Sequence, residues 1–158
     1  MRGRDRLAQG EGLVKGWNGI QSKVILTCLL LHEEARAVAV LRAALAENPK
    51  WKENLPAFYI LKDQAGMEGL IDEGRFDEKD WIAAVSMMRE VKGDGGSLPL
   101  CFKGLRVYPG SSYLHYLSGK ALLAPGGSKV DAKKELQEAI RLDSANAEAV
   151  ELLRSLGQ

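Results

Sequence analysis

Aromatic residues, cysteine and net charge are all scarce in this sequence. Phenylalanine, tryptophan and tyrosine make up only 6% of the chain, too few for a row of stacking platforms along single-stranded nucleic acid. The 22 basic residues nearly balance the 21 acidic ones, and no long basic run stands out. Because nucleic-acid binding depends on concentrated positive charge, we expect no nucleic acid among the partners.

Long hydrophobic runs and the cysteines of a disulfide framework are also missing. The most apolar run, at residues 24–31, is much shorter than the roughly 20 residues that cross a bilayer, so it predicts a buried helix and no membrane association. The N-terminal residues are basic but lack the apolar segment of a signal peptide. With only Cys28 and Cys101, we expect a reducing compartment, the cytoplasm.

One amphipathic pattern of small and large residues occurs three times. Its members lie at positions i, i+4, i+7 and i+8, on one face of a helix, and the helix is predicted to stop at i+12. The copies are Ala132, Leu136, Ala139, Ile140 and Ser144; Ala37, Leu41, Ala44, Leu45 and Pro49; and Ser97, Cys101, Gly104, Leu105 and Pro109. The small residues let another helix approach closely and the larger ones fill the gap, so the pattern predicts stacked helices in a repeat architecture.

The periodicity is helical throughout and predicts an all-α chain of about seven or eight helices. Residues 1–16 are expected to form a flexible arm, followed by one helical-repeat domain over residues 17–158. The predicted helices cover residues 17–32, 33–48, 52–62, 81–91, 97–107, 113–123, 130–142 and 146–156, and residues 67–73 form either a separate helix or a continuation of the third. The last helix is predicted to be a cap, with Ala149, Leu152 and Leu153 packing inward and Glu148, Glu151 and Arg154 facing water.

Capping and turn-forming residues mark the expected helix ends. Pro49 ends the second predicted helix, because the residue before a proline is pushed out of the α region. Pro56 and Pro99 are tolerated only in a first helical turn. Residues 93–96 predict a loop before the helix over 97–107. Residues 109–112 predict a turn, and Ser112 is the expected N-cap of the helix over 113–123.

These residues resemble the tetratricopeptide repeat, a helix-turn-helix unit of about 34 residues. The last repeat matches the family at Tyr116, Gly119, Ala121, Leu122, Ala132, Leu136, Ala139 and Ser144, with one extra residue in the turn. The repeat before it, from about Glu78, matches at Trp81, Cys101, Gly104 and Pro109, and a first repeat from about Asn18 matches at Ile25, Cys28, Ala37, Leu41, Ala44 and Pro49. The resemblance implies a right-handed α-solenoid of antiparallel helix pairs, closed by a C-terminal capping helix.

The middle of the chain departs from the repeat length. The pattern copies that begin at Ala37 and Ser97 are 60 residues apart, which is less than two full repeats. Either the repeat at residues 52–77 is shortened, or the register changes there. The turn at residues 74–78 supports the second option, because such a turn joins the two helices within one repeat of the family. We prefer the first option, which keeps the last two repeats in phase.

The family resemblance also implies a candidate binding surface, because the first helices of the pairs line a concave groove in tetratricopeptide proteins. The residues presented to the groove are Ser22 and Leu26; Lys79, Ile82, Ser86 and Arg89; and Tyr113, Tyr116 and Lys120. Tyrosine combines a large apolar body with a hydrogen-bonding tip, which suits an interface. The alternative is that these residues only make ordinary surface and inter-repeat contacts and bind no partner. Asn18 and Asn54 do not fall into the family's carboxylate-clamp set, so that set is not carried over.

Catalytic and metal-binding patterns are weak. Cys28 and His32 are spaced i, i+4, but zinc needs three or four ligands, and no second pair has matching spacing. Both cysteines stand at packing positions, and the glycine-rich segments at residues 93–96 and 126–128 lack the order of a phosphate loop. Lys129, Lys133 and Lys134 alternate with carboxylates, as on a solvated face. We therefore expect no metal, no cofactor and no enzyme activity.

The sequence predicts a protein–protein interaction module that holds a peptide or helix of a partner protein. An adaptor in a larger assembly and a chaperone for an assembling subunit both agree with it. A self-assembling, homo-oligomeric scaffold is an alternative, because the apolar run at residues 24–31 could take its cover from a second copy. A metal-dependent enzyme built on Cys28 and His32 is the less favoured hypothesis.

Overall fold

The computed structural model describes residues 31–47, 52–61, 63–73 and 76–157 of the chain. Every regular element in these ranges is helical and none is a strand, which confirms the all-α prediction. The chain divides into two compact units, Met1–Arg75 and Phe76–Gln158, and the division falls between the pattern copies that begin at Ala37 and Ser97. The predicted arm and most of the first predicted helix lie outside the described residues, so these and the single repeat domain stay predictions.

The N-terminal unit contains three α-helices and one short 3₁₀ helix within its described residues. They are α1 (Glu34–Glu47), the 3₁₀ helix (Lys52–Asn54), α2 (Leu55–Ile60) and α3 (Gln64–Glu73). The helix predicted over residues 52–62 is thus shorter than expected and begins with a 3₁₀ turn. Pro56 stands in the first turn of α2, where its missing N–H breaks no intrahelical hydrogen bond.

Residues 67–73 belong to a separate helix rather than to a continuation of the third predicted one. Helix α3 begins after Asp63, whose carboxylate accepts a hydrogen bond of 2.9 Å from the backbone N–H of Gly66. A side chain at Gly66 would collide with the ring of Phe58 on α2, so the glycine permits the sharp bend between the two helices. Met67, Leu70 and Ile71 are buried.

The C-terminal unit contains five helices in its described residues. They are α4 (Glu78–Gly96), α5 (Leu98–Val107), α6 (Ser112–Leu122), α7 (Lys129–Leu142) and α8 (Ala147–Leu156). Asp77 and Asp80 form a capping box at the start of α4, with both side chain–backbone bonds 2.9 Å long. Each aspartate satisfies a backbone N–H that has no partner within the helix.

The loop predicted over residues 93–96 is reduced to a break at one residue. Gly93 has φ +78° and ψ 172°, a backbone conformation that is essentially restricted to glycine. The helical turns resume directly and continue to Gly96. Pro99 stands in the first turn of α5, as the sequence predicts.

The predicted N-cap at Ser112 is wrong by one residue. Ser111 caps α6, because its backbone is extended and its hydroxyl accepts from the N–H of Leu114 at 3.3 Å. Ser112 is the first helical residue instead. Its hydroxyl donates to the carbonyl oxygen of Ala139 at 2.7 Å and accepts from Nδ2 of Asn146 at 2.9 Å, so it joins the start of α6 to the end of α7.

Helix α6 lies at the centre of the C-terminal unit and contacts α4, α5, α7 and α8. Helix α4 also contacts α5, and α7 also contacts α8. The repeated pattern supplies much of this packing. In both copies within the unit, the residues at positions i, i+4 and i+7 are buried, the residue at i+8 is half-buried and the residue at i+12 is exposed.

Gly119 allows α6 and α7 to approach each other closely. A β-carbon at Gly119 would lie 2.8 Å from Cγ of Leu136 and 3.2 Å from the carbonyl oxygen of Ala132. The predicted faces of α8 also agree with the structure. Ala149 is buried and Leu152 and Leu153 are half-buried, whereas Glu148, Glu151 and Arg154 are exposed.

Candidate protein-binding surface

The predicted groove residues of the C-terminal unit lie on one face of each of two helices. Lys79, Ile82, Ser86 and Arg89 are spaced at i, i+3, i+7 and i+10 along α4, and Tyr113, Tyr116 and Lys120 at i, i+3 and i+7 along α6. The two helices contact each other. Ser22 and Leu26, the predicted groove residues of the first repeat, lie outside the described residues.

The two tyrosines of α6 differ in exposure although they share a helix face. Tyr113 is 36% exposed and Tyr116 is only 9% exposed. Their ring centroids are 5.3 Å apart with an interplanar angle of 57°, a tilted arrangement within the range that aromatic pairs favour. Tyr113 therefore offers its ring to the surface, while Tyr116 supports that ring from below. We name Tyr113, Tyr116 and Arg89 together the tyrosine surface.

Helices α4 and α8 bring charged groups to Tyr116. Burial raises the pKa of the Tyr116 phenol above its ordinary value, and Tyr113 and the carboxylates of Glu148 and Asp94 add to the rise, whereas the positive charge of Arg89 opposes it. Nε of Arg89 lies 3.4 Å from Oδ1 of Asp94. Arg89, Asp94 and Glu148 thus lie near enough to Tyr116 for their charges to act on its phenol.

The other predicted groove residues take less part in this cluster. Lys79 is exposed but stands ten residues before Arg89, about 15 Å away along the helix. Ile82 is half-buried, and the hydroxyl of Ser86 donates to the Ile82 carbonyl at 2.8 Å. Lys120 lies in the last turn of α6, where a positive charge suits the helix dipole.

Sequence reasoning missed the polar contacts that join neighbouring helices. Asp94 and Glu148 act on the tyrosine surface from α4 and α8, and nothing local in the sequence marks them. Asn146 caps α8 by accepting from the N–H of Ala149 at 3.1 Å. A capping signal before an apolar run predicts that contact, but not the second bond from Asn146 to Ser112 on α6.

Cys101 has the properties of a packing residue. It is fully buried, and burial raises the pKa of its thiol to about 12, against a smaller opposing effect of the hydrogen bond with Ser97. The thiol therefore stays protonated at neutral pH, and a protonated thiol is a poor nucleophile. Within the residues that the structure describes, no three His, Cys, Asp or Glu side chains are grouped to hold a metal. Cys28 lies outside them, so the Cys28–His32 hypothesis stays untested.

None of the helices described here combines the length and apolar character needed to cross a membrane. The chain was also compared with protein families, with curated proteins and with solved structures. The comparisons find no family model, no curated protein and no solved structure that matches it. The resemblance to the tetratricopeptide repeat therefore rests on the residues of the chain itself.

Proposed function

We propose that the chain is a helical-repeat binding module of the tetratricopeptide type, which holds a peptide or helix of another protein and has no chemistry of its own. The observation that carries the proposal is the tyrosine surface. An exposed aromatic ring there packs on a buried one, and the charge of Arg89, which pairs with Asp94, acts on the buried ring. An adaptor or chaperone role in the cytoplasm agrees with such a module.

The order of helix contacts supports a solenoid as the form of the module. Helices α4, α6 and α8 follow one another as neighbours, and α5 and α7 each contact the helix before and the helix after them. A right-handed solenoid of antiparallel pairs has this order of contacts, with α4 and α6 as the first helices of their pairs. The tyrosine surface then lies on the helices that would line the groove.

The composition of the surface favours protein as the ligand. Tyrosine and arginine, with tryptophan, are enriched among the residues that dominate binding energy at protein interfaces. Tyr113 has only two side-chain torsions, and its ring already packs against Tyr116. Little side-chain entropy is therefore lost when a partner binds to it. The Arg89 side chain is 31% exposed and pairs with Asp94 at 3.4 Å, so its charge is accessible to a partner.

A pair of matched substitutions tests the proposal. Tyr113→Ser removes the exposed ring from the tyrosine surface, and Phe102→Ser removes a ring that is 43% exposed on α5, outside that surface. Partners captured from native cells by the full chain are identified and their affinities measured with both variants. We expect about a tenfold or larger loss of affinity for Tyr113→Ser and little change for Phe102→Ser.

Equal affinities of Tyr113→Ser and Phe102→Ser for the captured partners would show that the tyrosine surface is not the binding site. Substitution of Tyr116 is a poorer test, because that ring is 9% exposed and its loss would also destabilise the unit. Circular dichroism of each variant shows whether a binding defect comes with a loss of helix.

Self-assembly is a second candidate, favoured by one observation. Leu31, the last residue of the apolar run at residues 24–31, is 61% exposed. A second copy of the chain would remove this side chain from water. Sedimentation velocity over a wide concentration range tests the idea with Leu31→Asp and, as a control, Val130→Asp, which changes a side chain that is 66% exposed in the other unit. A wild-type chain that stays monomeric throughout would exclude it.

A further inference from the structure

We propose that His115 acts as a protonation-dependent clamp, which in its doubly protonated form ties the turn between α5 and α6 to helix α7. The ring stands in the first turns of α6, and its two nitrogens reach in different directions. Nδ1 lies 2.7 Å from Oε2 of Glu135 on α7, and Nε2 lies 3.0 Å from the carbonyl oxygen of Pro109 in the turn. Glu135 is 20 residues from His115 in the sequence, whereas Pro109 is only six residues from it.

The chemistry of the two partners determines the protonation state that closes the clamp. A carboxylate and a backbone carbonyl only accept hydrogen bonds, so both ring nitrogens must donate. The imidazolium form has two N–H groups, whereas neutral imidazole has one. In either neutral tautomer, one nitrogen lone pair would face an oxygen lone pair. Loss of one proton therefore breaks one of the two contacts.

The surroundings of the ring favour the charged form. The hydrogen bond to Glu135 raises the pKa of His115 above its ordinary value, partial burial opposes the rise, and the Pro109 carbonyl and the charges of Glu135 and Glu138 add to it. Glu138 is itself held by Arg141 through contacts of 2.6 and 2.8 Å. The side chains of His115 and Glu135 are 14% and 24% exposed, so water screens the pair only partly.

Charged groups of α4 and α8 act on a neighbour of His115 rather than on its ring. Arg89 and Asp94 of α4 and Glu148 of α8 act on Tyr116, which stands about 100° further around the helix than His115. From α5, the Cys101 thiol lies close enough to Glu135 to feel its charge, and that thiol is neutral. The two carboxylates of α7 are thus the charges that govern the clamp.

The direction of the pH effect follows from the raised pKa. A group whose pKa is higher in the folded than in the unfolded state stabilises the fold most at a pH where it is protonated in both the folded and the unfolded chain. The clamp therefore contributes fully below about pH 6.5, the ordinary histidine value. Its contribution to the free energy of unfolding is lost as the pH rises through the pKa of the folded state.

The clamp also bears on the tyrosine surface, because His115 stands between Tyr113 and Tyr116 in α6. Opening it frees the turn that precedes Tyr113. We therefore expect weaker binding of a partner at a pH where His115 has lost its second proton, an expectation that rests on the proposed function. The clamp itself needs no partner, so the two ideas fail separately.

Solution NMR of the full chain with ¹⁵N-labelled histidine measures the proton on each ring nitrogen. His32→Asn separates the two histidine signals, and asparagine suits the positive φ of 58° at that residue. We expect both His115 nitrogens to be protonated at pH 6, with a titration midpoint above that of the same histidine in urea-unfolded chain. A midpoint at or below the unfolded value would overturn the clamp.

Two carboxylate variants distinguish the direct His115–Glu135 hydrogen bond from the longer-range effect of negative charge on α7. Glu135→Gln removes the hydrogen-bonded carboxylate and is expected to lower the His115 midpoint clearly. Glu138→Gln, the matched control on the same helix, is expected to lower it less. Equal shifts from the two variants would contradict a specific clamp. Urea unfolding at pH 6 and pH 9 adds a second readout, because a stability loss for His115→Gln that is the same at both pH values would also overturn it.

Discussion

The helix pairs α4–α5 and α6–α7 fill equivalent positions with different chemistry. Trp81 on α4 and Leu100 on α5 are buried apolar side chains. His115 follows Trp81 by 34 residues and Glu135 follows Leu100 by 35, and these two form a hydrogen-bonded ion pair instead. The contacts between these helices thus accommodate apolar groups at one pair of positions and a charged pair at the other.

The same two pairs also exchange the positions of small and large residues. Between α4 and α5, the glycine at the helix contact is Gly104 on the second helix, where a β-carbon would lie 3.2 Å from the Trp81 ring. In α6–α7 the glycine is on the first helix, where Gly119 faces Leu136. A large side chain on one helix thus meets a glycine on the other, which preserves close packing while the residue types change.

The largest expected difference between the pairs lies at the i+4 position of the repeated pattern. Leu136 is fully buried on α7, and Cys101 is the equivalent buried residue on α5. Leu136→Ala removes three buried carbon atoms and should lower the free energy of unfolding by about 3 kcal/mol. Cys101→Ala removes one sulfur atom and should lower it by about 1 kcal/mol. Urea unfolding followed by circular dichroism measures both, and equal losses would contradict the volume argument.

A smaller effect is expected at the glycine of the second pair. Gly119→Ala forces Leu136 or the α7 backbone to move, a cost of about 1–3 kcal/mol that better helix propensity offsets by up to about 1 kcal/mol. We expect a net loss of about 1–2 kcal/mol on this basis. Gly69→Ala on α3 meets no atom within 4 Å and should gain about 0.5–1 kcal/mol. Thermal unfolding of both variants checks the predicted opposite signs.

Changing the ion pair into an apolar pair makes the two helix pairs chemically alike. The double variant His115→Leu/Glu135→Leu should stay within about 1 kcal/mol of the wild type near neutral pH, because well-packed apolar groups often replace a partly buried ion pair without loss. Its stability should also vary less between pH 6 and pH 9. Unfolding curves at the two pH values measure this. A variation with pH as large as that of the wild type would place the pH-sensitive group elsewhere.

The smallest effect is expected at Ser118, which stands 34 residues after Ala84. Both residues are completely buried, and Oγ of Ser118 has no hydrogen-bond partner within the described part of the chain. Ser118→Ala should leave the free energy of unfolding unchanged or raise it by up to about 1 kcal/mol, because it removes an unsatisfied polar group. Ser97→Ala is the control, since that hydroxyl donates to the Asp94 carbonyl at 2.7 Å. It should cost about 1 kcal/mol. A loss at Ser118 that equals the loss at Ser97 would reveal an unrecognised hydrogen bond.

The helices of the C-terminal unit were largely predictable because their signals are local. The pattern copies at Ser97 and Ala132 predict the buried face of α5 and α7, and the structure confirms it. The N-cap of α6 was missed by one residue because Ser111 and Ser112 are both good capping residues. Only the backbone conformation at Ser111 distinguishes them.

The candidate site was less predictable than the helices. Helical spacing places Tyr113 and Tyr116 on one face of α6, but it does not say that one ring is exposed and the other buried. That difference depends on tertiary packing, because α4 and α8 both pack against α6. The position of a neighbouring helix depends on residues far away in the chain, which no local pattern contains.

The sequence by itself determined that the described chain is helical, roughly where most of its helices lie and which face of α5, α7 and α8 is apolar. Hydrogen bonding along the backbone and a period of about 3.6 residues are local properties. Tertiary structure alone decided which side chains meet across those faces. It joined His115 to Glu135 and Ser112 to Asn146, and it brought the charge of Arg89 near Tyr116. The physical reason is that close packing selects contact partners by shape and volume over the whole unit, whatever their distance along the chain.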